Sequence, residues 1–250
     1  MSSIREQINI LINKGMVVPS KKRAREILRD NNYYNVINAY KECFLDTSYI
    51  QASPSMPDEK YKTGSSFDEL YAMFNFDNII SELFLKYFLQ VENQFKTHLA
   101  YEFALLYGED KYFDLTCFDT IGLKIYNVLE LQTTINKTLC KNKNDCRVRH
   151  FYMDKSKKVP IWALISLFEI GKARAFFVNC KDGLRKKVSY YYSLTPSQLT
   201  SMLATINMFR NVCAHDSRLF CYRIVDVNKQ ISDMPIHNYM KINTYSLSSG

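Results

Sequence analysis

Apolar residues recur at helical spacing along most of the chain, and polar punctuation cuts the pattern into segments. Ile4, Ile8, Leu11 and Ile12 share one face of a helix over 4–14, with Gly15 as its stop. Ser20 reads as the N-cap of a second helix that turns Ala24, Ile27 and Leu28 inward and leaves Lys21, Lys22, Arg23, Arg25 and Arg29 outward. Residues 30–40 predict a turn and a short third helix containing Tyr33, Tyr34, Val36, Ile37 and Tyr40. From 46 to 65 the chain is loop-like, with Pro54, Pro57 and Gly64.

Ser66 and Glu69 match a capping box, so a helix should begin at Phe67. Past Asn75 the apolar pattern runs almost unbroken to Tyr107, where Gly108 stops it. That predicts a helix of about 30 residues, roughly 45 Å long, acting as the spine of a bundle. Its apolar density predicts cover on more than one side. Further helices are expected over 119–141, from Pro160 to Cys180, and from Asp182 to Tyr192, with a polar stretch over 141–158. Thr195, Pro196 and Gln198 supply an N-cap, a proline at the first helical position and the N3 partner of a last helix that runs into Arg210–His215. Residues 224–231 could form a short strand pair, and 240–250 read as a frayed end. The expectation is an all-α helical bundle with a long spine helix. It comprises a basic helical N-terminal segment (1–45), a helical domain (66–222) and a tail of uncertain structure (223–250).

Composition narrows this picture. Seven Gly and six Pro in 250 residues, against an average near 12% for the two together, exclude collagen-like and low-complexity chains. Sixteen Phe and 18 Tyr supply ample bulk for a core. No run approaches the ~20 apolar residues of a membrane span. The start, Ser2 to Gln7, is polar where a secretory leader would be apolar, so a cytoplasmic protein is expected. The seven cysteines are irregularly spaced, with no C-x-x-C pair. Cys140, Cys146 and His150 are the nearest approach to a metal box, and reduced thiols are the simpler reading. No metal or other cofactor is expected.

Four histidines are candidates for acid–base chemistry. His98 lies within the long helix, His150 in a basic loop and His237 in the tail; His215 is set apart by its neighbours. On a helix with Arg210 at 0°, Asn207 falls near 60°, Arg218 near 80°, Asn211 near 100° and His215 near 140°, at about 100° per residue. Ile206, Phe209, Val212 and Cys213 occupy the opposite arc. A solvated face is the plain alternative, but this face holds neither Lys nor Glu. Guanidinium, amide and imidazole groups are the ones a phosphodiester site uses, to grip phosphate, offset charge and move protons.

The string Arg210-Asn211-Val212-Cys213-Ala214-His215, followed by Arg218-Leu219, resembles the R-x(4–6)-H motif of HEPN ribonucleases. It is closest to the RN-x-x-AH-x-x-RL form of Abi-like proteins of the AbiD/AbiF group. The resemblance extends to Ser3–Gly15, Asn32-Tyr33-Tyr34, Phe74–Asp77, Val91–Lys96, and Pro160-Ile161-Trp162 with Glu169-Ile170-Gly171, covering roughly residues 3–222. Two departures stand out: Ser166 occupies a place where many members carry an acid, with Glu169 one turn on, and Ser217 stands where tyrosine-modified members carry Tyr.

The resemblance implies a HEPN-type bundle and a metal-independent endoribonuclease toxin of anti-phage abortive infection. Because one motif copy is present, it implies a homodimer with a composite site. The 2′-OH of RNA would attack the adjacent phosphorus, with His215 as general acid or base, Arg210 on the phosphate and Asn211 orienting. DNA, lacking that hydroxyl, would not be cut. A structured small non-coding RNA is the implied inhibitor. The net charge of +8 agrees with an RNA partner. Candidate RNA contacts are Asn207 and Arg218, the basic helix Lys21, Lys22, Arg23, Arg25 and Arg29, and Arg185, Lys186 and Lys187, which precede Tyr190, Tyr191 and Tyr192. The competing reading is a non-catalytic HEPN module that binds RNA or protein.

Overall fold

Ser66 and Glu69 close a reciprocal cap, Glu69 N–H to Ser66 Oγ at 3.2 Å and Ser66 N–H to Glu69 Oε2 at 2.9 Å, and the long helix starts at the next residue, Phe67. The structure, a computed structural model, describes residues 2–52, 59–154, 158–215 and 217–224. Among these it holds α-helices and short 3₁₀ or π turns with no strand, so the all-α expectation holds. The helices are α1 (Ile4–Asn13), α2 (Lys21–Asp30), α3 (Thr47–Ala52), α4 (Phe67–Tyr107), α5 (Lys124–Lys141), α6 (Cys146–Arg149), α7 (Ile161–Ser166), α8 (Ile170–Asn179), α9 (Asp182–Tyr190) and α10 (Pro196–Ala214). None of the described helices is long and apolar enough to cross a membrane.

Helix α4 has 41 residues, longer than the pattern predicted, and about 61 Å of axis at 1.5 Å per residue. Gly108 ends it with φ +101°, a conformation in which glycine carries no side-chain penalty. The expected cover on more than one side is not found. Between residues 78 and 91 no α4 residue is buried, and Phe76, Ile79, Leu83, Phe84 and Tyr87 are exposed. Buried apolar residues sit only toward the ends of α4, with Phe67 and Leu70 in one core cluster and Phe95, Leu99 and Phe103 in another.

The described residues form two compact units, one from residues up to 83 with 217–221, and one from 84–215 with 222–224. In the first, α1 and α2 pack together, and Ile8, Leu11, Ile27, Leu28, Val36, Ile37 and Tyr61 join the start of α4 in one core. In the second, the later part of α4 contributes to a larger core with α5 and α7–α10, rich in edge-on aromatic pairs such as Phe95–Phe177 and Phe103–Phe176.

The helix predicted from Pro160 to Cys180 is two helices. Leu167 and Phe168 close tight i−3 turns on Leu164 and Ile165, and Glu169 is extended (φ −73°, ψ 160°). The break buries Phe168 and releases its carbonyl from the helical ladder. The last helix ends one residue before His215, which takes a non-helical conformation (φ −114°, ψ 26°). Residues 225–231 of the suggested strand pair, and the rest of the tail, lie outside the described residues; Ile224 belongs to no regular element.

Candidate functional site

The direction of α10 is set at its first turn. Thr195 Oγ1 accepts from Gln198 N–H at 3.3 Å, Gln198 Oε1 accepts from Thr195 N–H at 2.9 Å, and Pro196 occupies the first helical position. Leu199, Leu203, Ile206, Val212 and Cys213 are buried and hold the helix in register. On another face Asn207 lies over Gly171 of α8, where an added Cβ would come within 3.2 Å of the amide oxygen. Asn207 is therefore a packing residue between α8 and α10.

One turn on, Arg210 meets a charged group that sequence reasoning did not assign. Its Nε lies 3.9 Å from Oε2 of Glu92 on α4. The other Glu92 oxygen accepts from Lys96 Nζ at 2.9 Å, and Lys96 donates to the Phe168 carbonyl at 3.0 Å. Side-chain exposure is 7% for Glu92, 12% for Lys96 and 22% for Arg210, so this charge network is largely out of water. At 3.9 Å the contact between Glu92 and Arg210 is an ion pair and not a hydrogen bond. Glu92 Oε2 and Arg210 Nε are both shielded and lack a hydrogen-bond partner among the described residues. One carboxylate faces two cations, leaving the cluster net positive with an uncommitted guanidinium N–H.

Asn211 is exposed, and its Oδ1 accepts from Arg210 Nη1 at 3.3 Å, restricting the guanidinium. His215 is exposed at the helix end, with its backbone N–H on the Asn211 carbonyl at 3.1 Å. Arg210 and His215 are five residues apart, or about 7.5 Å along the axis. Arg210, Asn211 and His215 thus share the C-terminal end of α10 with its imidazole open to solvent.

Arg218 does not continue this face, because the helix stops at Ala214 and the predicted angle no longer applies. Its guanidinium donates to the Ala39 carbonyl within the first unit. The next residue, Leu219, donates its N–H to Asp77 Oδ2 at 3.0 Å, an oxygen that also accepts from Tyr40 OH at 2.7 Å. Asp77 is buried, and burial of Tyr40, with its hydrogen bond to Asp77 and that carboxylate's charge, raises the Tyr40 hydroxyl well above its ordinary pKa. The pair Arg218-Leu219 anchors the chain after His215.

The acidic position raised by the resemblance also resolves. Ser166 Oγ accepts from Arg147 Nη1 at 2.7 Å, and Arg147 in turn holds the Asp145 carboxyl down to about 2. Glu169 is exposed at the start of α8. The acid beside Arg210 is Glu92. Its sequence signal was a glutamate and a lysine four residues apart within a mostly apolar helix.

The basic candidates separate into committed and open groups. Lys21, Lys22, Arg23, Arg25 and Arg29 are all exposed on α2, where Arg23 faces Asp68 at 3.9 Å and Arg29 faces Asp30 at 3.2 Å. On α9, Lys186 and Arg185 approach Asp182 at 2.8 and 3.5 Å, while Lys187 turns toward Glu102 at 3.8 Å. His98 stacks on Tyr191 with ring centroids 4.0 Å apart and shares a 3.1 Å contact with Tyr192 OH; burial lowers its pKa. It serves packing. Among the described residues no group of three His, Cys, Asp or Glu is placed to hold a metal, and His237 lies outside them.

A family model described as Abi-like protein matches residues 26–221, which takes in α10, Arg210, His215 and the Arg218-Leu219 anchor. No curated protein and no solved structure matches the chain.

Proposed function

The chain belongs to the Abi-like protein family, and from that premise we propose that it acts in abortive infection as a metal-independent endoribonuclease of HEPN type. The observation that carries this reading is Arg210, ion-paired with Glu92 through an Nε that makes no hydrogen bond and sharing one helix end with the exposed His215. A phosphodiester entering there would take its oxygen to Arg210, which offsets the charge that grows as the 2′-OH attacks phosphorus. His215 moves the proton, a role worth typically ~10²–10⁴ in rate. The attack forms a 2′,3′-cyclic phosphate and expels the 5′-oxygen, which leaves protonated as a 5′-OH. Glu92 sets the position of Arg210 and Lys96 without touching substrate. Asn211, bonded to the guanidinium, limits its rotation.

A single R-x4-H motif with its histidine exposed suits a site completed by a second copy, so the active form is a homodimer. A bound structured small RNA, gripped by the exposed cations of α2, holds the toxin in check in the cytoplasm. The test uses purified wild type, His215→Ala and Arg210→Gln on matched RNA and DNA strands, with end-group analysis. Cleavage of RNA only, with cyclic phosphate ends and loss in both variants at unchanged thermal stability of His215→Ala, is the expected result. Cutting of DNA, or full activity in His215→Ala, would overturn it. Binding of RNA with no cleavage by the dimer would identify a non-catalytic binding module.

A further inference from the structure

A second group of polar atoms without partners lies at the other end of α10. Here the end of α8, α9 and the first turns of α10 line an open cleft of about 610 Å³, within the ~300–1,000 Å³ typical of small-molecule sites. Val178 and Pro196 form its apolar wall, and Arg185, Lys186, Ser197 and Ser201 contribute polar groups. Arg185 Nε and Ser201 Oγ are both shielded from solvent, and neither has a hydrogen-bond partner among the described residues. Each unmade bond of that kind costs roughly 1–3 kcal/mol. Both atoms belong to residues that line the same cleft, so one ligand with several acceptor oxygens can satisfy them together once the side chains turn toward it.

The chemistry of the lining selects an anion. Arg185 and Lys186 bring two positive charges against one carboxylate, Asp182, which is exposed at the rim and pairs with them at 3.5 and 2.8 Å. The first turn of α10 adds a donor. Pro196 has no N–H and the Gln198 N–H is taken by the Thr195 hydroxyl, which leaves the Ser197 N–H as the uncapped amide. Guanidinium, hydroxyl and amide donors around a cationic pocket match the several acceptor oxygens of a phosphoryl group.

This pocket is not an extension of the Arg210 site. Ser201 and Arg210 are nine residues apart, which places them about 14 Å apart along α10 and about 180° around it. We propose that the α9–α10 cleft is a separate binding site for the phosphoryl group of a nucleotide, either free or at the end of an RNA strand. Arg185 Nε, Ser201 Oγ and the Ser197 amide donate to phosphate oxygens, Lys186 supplies charge, and Val178 and Pro196 lie against the nucleoside. Asp182 is the internal competitor that the phosphate displaces.

Calorimetric titration of the full-length His215→Ala protein tests this without dependence on RNA cleavage. The probes are inorganic phosphate, AMP, and a tetraribonucleotide with and without a 5′-phosphate. AMP is expected to bind, with about ten-fold or greater loss in Arg185→Gln and about five-fold loss in Ser201→Ala, as for one charged and one neutral hydrogen bond. Asp182→Asn should bind several-fold more tightly. Because Ser201→Ala and Asp182→Asn remove no structural bond of the core, they decide the matter if Arg185→Gln fails to fold. Preference for the 5′-phosphorylated oligonucleotide over AMP assigns the pocket to an RNA end, and equal affinity assigns it to the free nucleotide. Absence of binding by every phosphate probe, or variants indistinguishable from the parent, overturns the proposal. The ribonuclease reading stands or falls separately on His215.

Discussion

Replacing Glu92 with Gln keeps the shape of the side chain and removes the one negative charge between Lys96 and Arg210. At an effective dielectric constant near 20, the 3.9 Å approach to Arg210 corresponds to about 4 kcal/mol of attraction and the 2.9 Å contact with Lys96 to about 6 kcal/mol, before desolvation is subtracted. The amide oxygen of Gln still accepts from Lys96, so part of the second contribution survives. Arg210 keeps only its bond to Asn211, and two cations are left facing each other with little water. Breaking a buried pair from one side typically costs 3–5 kcal/mol, and about 3 kcal/mol is expected here. For a chain of this size that lowers Tm by roughly 6–12 °C. The same charge change alters anion binding, because the cluster goes from net +1 to +2. Scanning calorimetry with and without phosphate should therefore show the variant regaining more stability from phosphate than the wild type does. The double variant Glu92→Gln/Lys96→Met, with one cation fewer, should recover much of the loss. A Tm change under about 2 °C, or equal stabilisation of both proteins by phosphate, would refute the electrostatic account of this cluster.

Three other outcomes follow from the packing and the titrating groups. Gly171→Val drives branched carbon atoms toward Asn207 across α8 and α10 and should cost about 2 kcal/mol in urea titration, with Gly171→Ala closer to neutral because helix propensity offsets the 3.2 Å contact. Asp77→Ala strips the acceptor from Tyr40 OH and the Leu219 N–H and should cost about 3 kcal/mol, with faster proteolysis within 217–221 as the local readout. Acid should destabilise the fold in two stages. The half-buried His98 resists a proton that the unfolded chain accepts near its ordinary 6.5, so stability falls as pH drops below that value. Glu59, held below its ordinary 4.5 by Lys41 and Lys14, contributes stability that is present above 4.5 and lost as pH falls through its lower folded value. A denaturant series from pH 8 down to about pH 2.5 on wild type and His98→Phe would separate the two, the variant showing a flatter upper stage.

Local rules made most of the helices legible. Gly15, Ser20, the Ser66/Glu69 box, Gly108 and the Thr195/Pro196/Gln198 start act within a few residues, and the structure places each where the pattern did. The break at Phe168 was hidden because Ser166-Leu167-Phe168-Glu169 contains neither Gly nor Pro. It arises because Phe168 is buried and its freed carbonyl binds Lys96, and both causes are tertiary. The end of α10 falls in the expected Arg210–His215 region, but the helical angle given to Arg218 does not hold, for the same kind of reason. Arg218 and Leu219 follow helical spacing in sequence, but Ala39 and Asp77, far away in the chain, take them out of the helix. The candidate site was half visible: Arg210, Asn211 and His215 stood together on one helical arc, whereas Glu92 belongs to a helix more than a hundred residues earlier. The exposed midsection of α4 was not legible at all, since periodicity reports which residues are apolar and not whether anything covers them.

The hydrogen bond from Leu219 to Asp77 spans 142 residues of sequence, and this has a consequence for how the molecule is made. A ribosome adding about 5–20 residues per second delivers Asp77 roughly 7–28 s before the residue that completes its partners. During that interval Tyr40 is the one hydrogen-bond partner that the described residues offer the buried carboxylate. The closing segment emerges directly behind His215, so a nascent chain gains its imidazole and its last anchor almost together. A chain that stops short of this point has neither. Its first unit lacks the closing segment, and α10 ends without its histidine. The order of residues along the message thus completes the first unit only after residues 84–215 of the second have been made.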